Sequence, residues 1–298
     1  MENSLTIKIP PNGDPKYWFK FINKYIIGSQ TEISNLIIDF NTVNFLDTDD
    51  IVLLACLLDL YYREDLNIKF INGTAYLNKH LSGIKFKKYW SKDFNRDKFT
   101  FTYNENTLCL WHISPGMISD YSQYAKKYYE RIPDFKGKDL IPLTSNMSEI
   151  FNNIFDHSFS KVNGYIITQY SNGPKKISFS VCDFGIGIAK SLNDYYEKKG
   201  ENRISDSLAI KNSLITGVSS FTTDRNRGFG LSHVLNFTEH FDGEISIHSN
   251  NGYLNKKSKE NYFLKETGYN FSGTLIKVEI NSAEFEEIDE ESNIYDIG

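Results

Sequence analysis

Cysteine is scarce. The chain has three in 298 residues, Cys56, Cys109 and Cys182, and no C-x-x-C pair, so neither a zinc site nor a disulfide framework is indicated. All three are expected to be reduced and buried. A long apolar run is also missing: the greasiest stretch, Ile51 to Leu60, is about half of the ~20 residues a membrane span needs and predicts a buried helix. The opening MENSLTIKIPPNGD lacks the basic-then-apolar order of a secretory signal, which predicts a cytoplasmic protein. Charge of one sign is lacking as well. With 33 basic and 38 acidic residues the net charge is −5, too small a field to draw nucleic acid or an anionic membrane. There is no internal repeat, and His112, His233, His240 and His248 show no metal-ligand spacing.

What is present is an ordinary globular composition, 40% hydrophobic and 24% charged, in a chain long enough for two domains. Periodicity and turn punctuation predict an α/β (α+β) fold divided into four parts. Residues 5–9 (LTIKI), 36–40 (LIIDF) and 67–71 read as strands, with helices over 16–27 and 48–63 between them. This small α/β domain occupies residues 1–115. Residues 116–140 read as a connecting helix, Ile118 to Tyr129, and a hinge at Pro133 and Gly137. Residues 141–281 begin with an amphipathic helix, Leu143 to His157, carrying Met147, Ile150, Phe151 and Ile154 on one side. Strands over 165–170 and 177–182 follow, joined by Ser171-Asn172-Gly173-Pro174, strong hairpin chemistry. A helix from Gly230 to Phe241 and strands at 244–248 and 273–280 complete this part. Residues 282–298 read as a mobile acidic tail.

Four segments of the third part carry chemistry: EIFNN (149–153), DFGIG (183–187), RGFGL (227–231) and SGT (272–274). Glycines in the second and third suit a backbone that approaches phosphate oxygens closely, although either alone also fits an ordinary turn. Glu149 and Asn153 stand four apart on a helix and share a face. A carboxylate there can orient a water, and an amide oxygen is a hard ligand suited to Mg²⁺; a solvated helix face is the alternative.

In this order the segments resemble the gyrase, heat-shock chaperone, histidine kinase and MutL (GHKL) ATPase superfamily over about residues 140–281. TSNMSEIFNNIFDHS is similar to the family's N box and VCDFGIGI to its first Gly box. LITGVSSFTTDRNRGFGLSHV resembles the lid end and second Gly box, and FSGTLIKVEI the late strand with its Gly-Thr pair. The resemblance implies a Bergerat-type α/β sandwich, a mixed sheet with helices on one face, that binds ATP and Mg²⁺. It implies that Asp183 accepts a hydrogen bond from the adenine amino group, supported by Thr274, while Gly185 and Gly187 let the base lie close to the backbone. Asn153 would hold Mg²⁺. Gly228 and Gly230, with Leu231 beside them, would present backbone N–H groups to the phosphates at a helix start. Arg227 either touches phosphate or faces solvent. Glu149 stands where hydrolytic members carry their general base, and His157 is expected to be structural or phosphate-adjacent.

The stretch NLIIDFNTVNFLDTDDIVLLACLLDLYYREDLNIKFING is similar to the sulphate-transporter and anti-sigma-antagonist (STAS) domain. There, a hydroxyl residue after the Asp is phosphorylated by a GHKL-type serine kinase, which makes Thr48, after Asp47, a candidate phosphoacceptor. Asp49 and Asp50 depart from that pattern. Thr48 with these acids also reads as a helix N-cap and acidic first turn. Together the two resemblances imply a regulatory ATPase switch, an anti-sigma-type serine/threonine kinase, or a non-hydrolysing nucleotide sensor. Any of these implies a protein partner or a homodimer. No histidine-kinase phosphoacceptor helix is evident.

Overall fold

The computed structural model describes residues 3–10, 15–28, 33–41, 43–62, 66–96, 107–113, 115–157, 164–215 and 230–288. Strands β1 (Ser4–Lys8), β2 (Asn35–Asp39) and β3 (Asn67–Ile71) form a parallel sheet in sequence order, with α1 (Pro15–Gly28) and α2 (Thr48–Tyr61) as the crossovers. Alternation puts Leu5, Ile7, Leu36, Ile38, Ile68 and Phe70 on one face and Lys8, Lys69 and exposed Ile71 on the other. Right-handed crossovers that step the same way place both helices over one face, here the apolar one. Helices α3 (Ala75–Gly83) and α4 (Phe86–Tyr89) follow, and Phe86 meets Phe70 edge-on.

Strand β4 (Thr107–Ile113) opens a second sheet. Helices α5 (Ile118–Tyr129) and α6 (Ile141–His157) come next, then the hairpin β5 (Gly164–Ser171) and β6 (Lys176–Asp183). After α7 (Ile188–Lys198), α8 (Asp206–Ser213) and α9 (Gly230–His240), the long strands β7 (Glu244–Lys257) and β8 (Phe263–Asn281) complete it. The order is β4-β5-β6-β8-β7 and every pairing is antiparallel.

The fold is α+β, as the periodicity predicts, and three details differ from expectation. The parallel and antiparallel pairings stand in separate sheets, so the second sheet is not itself mixed. Its helices do not keep to one face. Thr168, Phe179 and Val181 share one face, where the Tyr129 hydroxyl of α5 hydrogen-bonds Thr168. On the opposite face, Ser180 and Cys182 meet α2, and His248 packs against Phe19 of α1. Helix α2 therefore lies between the sheets, with Ile51 to Leu58 at most 2% exposed. A helix that is apolar all round has to be covered all round, and one sheet cannot do it. Finally, the start of the acidic segment is packed, because Phe285 is buried against Phe135 and Phe241. Lys138 and Glu287 also form a bridge; residues 289–298 lie outside the described residues. Among the described residues no helix is long and apolar enough to cross a membrane.

Candidate functional site

Strand β6 ends at Asp183, and a short turn leads to the start of α7. Gly187 has φ +84°, and a Cβ there would lie 2.5 Å from Asn250 Oδ1 and 2.6 Å from Ser249 Oγ. Across the ladder Asp183 pairs with Thr274, and a Cβ on the neighbouring Gly273 would stand 2.1 Å from the Asp183 carbonyl oxygen. The glycine of the Gly-Thr pair is thus a steric requirement of the close approach to Asp183.

The Asp183 side chain is fully buried. One carboxylate oxygen, Oδ1, accepts the Gly185 N–H at 2.6 Å. The other, Oδ2, has no hydrogen-bond partner among the described residues. Burial pushes the carboxyl up to about 7, against the opposing backbone N–H groups of Gly185 and Thr274. A buried, unpartnered carboxylate oxygen is costly in a folded chain, and a donor supplied by a ligand is one way to satisfy it.

The structure also recruits residues that the motifs did not single out. At an irregularity in β7, Asn250 donates to the Ile186 carbonyl in the turn and accepts the Lys190 N–H of α7, and Ser249 accepts the Ala189 N–H, while Ser272, of the predicted SGT segment, donates to the Gly185 carbonyl at 3.1 Å. In sequence Ser249-Asn250-Asn251-Gly252 looks like the end of a strand. An Asn-Gly pair inside a longer strand is also a bulge signal, and here that second meaning holds.

The remaining predicted residues are distributed as follows. Glu149 is half-buried on α6, the helix that packs with α5 through Tyr121 and Phe151. Asn153 and His157 belong to the same helix, but their side chains lie outside the described residues, as do Arg227 and Gly228 entirely. Gly230 is the first residue of α9, and Leu231 is buried in the core. The segment between the two Gly boxes, whose end resembles a lid, begins as two helices, and α8 packs under β7 where Gly252 leaves no room for a Cβ beside Asp206 and Ser207.

Thr48 lies on the other face of the sheet. It is 3% exposed, and its hydroxyl shares a 2.7 Å hydrogen bond with Ser180. The N-cap of α2 is Asp47 rather than Thr48, and Asp50 accepts the Asp47 backbone N–H at 3.1 Å. Burial and the neighbouring Asp49 carboxylate push Asp50 up to about 8, and Asp47 is raised chiefly by burial. Lys277 on β8 faces these acids, 3.3 Å from Asp49; desolvation disfavours its charge, but Asp49, Glu279 and Asp47 hold it above the ordinary lysine value.

Elsewhere, His112 is buried against the Tyr89 hydroxyl, and His248 stacks on Tyr253. Among the described residues no group of three or more His, Cys, Asp or Glu side chains is arranged to hold a metal ion. The chain matches no family model and no curated protein.

Proposed function

We propose that this protein is a GHKL-type nucleotide switch that binds ATP with Mg²⁺ beneath Asp183. The observation that carries the reading is the buried Oδ2 of Asp183, an acceptor without a partner among the described residues, at the mouth of a glycine turn opposite Thr274. An adenine amino group supplies the missing donor. Thr274 flanks the base edge, and Gly185 and Gly187 keep side chains out of its plane. The start of α9 at Gly230, with Gly228 and Arg227 before it, is the assigned phosphate end, because N-terminal helix N–H groups and the helix dipole favour anions. Asn153 is the assigned Mg²⁺ ligand and Glu149 the assigned base for water.

Bound Mg-ATP supplies a phosphoryl group whose transfer to water resets a switch. The chain's part is to bind the base, orient a water through Glu149 and transmit the state of the site. The kinase alternative keeps one constraint: in this conformation Thr48 is sealed against Ser180, so phosphotransfer would have to act on a hydroxyl of another protein.

Incubation with γ-labelled ATP and Mg²⁺ separates these readings. In Asp183→Asn, the Gly185 N–H keeps the amide oxygen and the NH₂ faces the adenine amino group. Loss of a hydrogen bond to a charged acceptor then predicts binding about 10- to 100-fold weaker. Equal affinity in Asp183→Asn removes the site assignment. Free phosphate from the wild type and none from Glu149→Ala supports hydrolysis, label on a second protein supports the kinase, and binding with neither supports a sensor.

A further inference from the structure

We propose that Asn250 is a positioning residue of this site, capping α7 from the neighbouring strand and thereby aiming the unpartnered oxygen of Asp183. The proposal rests on the reading of Asp183 as the base-binding residue.

Helix α7 starts at a glycine. Gly187 occupies its N-cap position and has no side chain to satisfy the first N–H groups, which every helix leaves open. The caps come from β7 instead. Asn250 Oδ1 accepts the Lys190 N–H at 2.9 Å, and Ser249 Oγ accepts the Ala189 N–H at 3.4 Å, each across 60 residues of sequence. The same carboxamide reaches back over the turn, where Nδ2 donates to the Ile186 carbonyl at 3.0 Å. One side chain therefore grips the chain on both sides of Gly187.

The local backbone makes this possible. Pairing of β7 with β8 shifts register around Asn250, and Asn250 has φ +55°, a left-handed conformation that asparagine tolerates better than most residues. That conformation takes its side chain out of the ladder and into the turn. The following residue uses the same irregularity in the opposite sense: the backbone and side-chain amides of Asn251 both donate to Asp206 Oδ2, at 3.0 and 3.1 Å, which ties α8 to the strand.

The link to Asp183 is short. Gly185, two residues from Asp183 and one from Ile186, donates the N–H that holds Oδ1 and leaves Oδ2 free. If the turn relaxes, that N–H withdraws and the carboxylate can rotate. A second consequence concerns phosphate. The Ala189 and Lys190 N–H groups are already used, so the start of α7 serves the base end of the site, and phosphate falls to the start of α9.

The test compares wild type with Asn250→Gly, which keeps a left-handed backbone without strain and deletes the carboxamide, and with Asn250→Asp, which retains the acceptor for Lys190. ATP affinity is measured by calorimetry, and the Asp183 carboxyl is titrated by NMR in nucleotide-free protein, with circular dichroism to establish that each variant is folded. Asn250→Gly is expected to bind ATP about tenfold more weakly and to titrate at higher pH than wild type; Asn250→Asp, which loses the Ile186 contact and adds a charge, is expected to weaken binding as well. Unchanged Asp183 titration in Asn250→Gly overturns the proposal, whether or not affinity falls. If wild type fails to bind ATP yet Asn250→Gly still moves the titration, the positioning of Asp183 stands and the base-binding reading fails.

Discussion

The two faces of the antiparallel sheet treat buried polar groups differently. On the face that meets α2, the Thr48 hydroxyl is matched by Ser180, Asp49 by Lys277 and the Cys56 thiol by the Cys182 carbonyl. At the end of β6, on the other face by strand alternation, Asp183 keeps an oxygen with no partner among the described residues. Counted by paired polar groups, the α2 face is largely finished, with the Tyr165 hydroxyl an exception, and the Asp183 end is not.

The largest expected effect tests the unfinished face. The folded value of Asp183, about 7, lies above the ordinary 3.8, so its contribution to stability is fully present below pH 4 and is lost as pH rises through 7. That shift corresponds to about 4 kcal/mol at most. Thermal melting of nucleotide-free protein between pH 5 and 8 should therefore show a steeper loss in wild type than in Asp183→Asn, and parallel curves would break the contrast. Asp50, raised to about 8, gives a loss of the same sign that both proteins share.

The finished face is tested next. Lys277→Ala removes the cation that faces Asp47, Asp49 and Glu279, and leaving those acids uncompensated should cost about 2 kcal/mol, less than for a fully buried pair because both partners are partly solvated. Chemical denaturation measures that loss; ATP affinity should stay within about twofold of wild type. A larger affinity change would mean that the two faces are coupled through β8. The smallest effect belongs to Ser180→Ala, which strands the Thr48 hydroxyl and should cost about 1 kcal/mol.

Much of this was legible in the sequence because it is local. The α6 and α9 periodicities, the β5–β6 turn and the DFGIG glycines depend on residues close together in the chain. What covers α2 was not legible: its apolar character announces burial, but Ser180 lies 132 residues from Thr48. For the same reason β4, whose strand partner β5 lies beyond two intervening helices, read as the end of the N-terminal part rather than as an edge of the second sheet. The Asn250 cap was invisible because a side chain in a bulge serves a helix far away in sequence. Asn153, Arg227 and Gly228 remain with the resemblance alone.

One consequence of the buried α2 concerns how the molecule comes apart. Both sheets use that helix as core, so neither half keeps its interior when the other melts. Calorimetry should accordingly record a single transition with equal calorimetric and van't Hoff enthalpies. A fragment beginning after residue 115 would lack β4 along with the helix, leaving β5 as a raw edge prone to pair with another chain and the Ser180, Cys182 and Leu275 surface open to self-association.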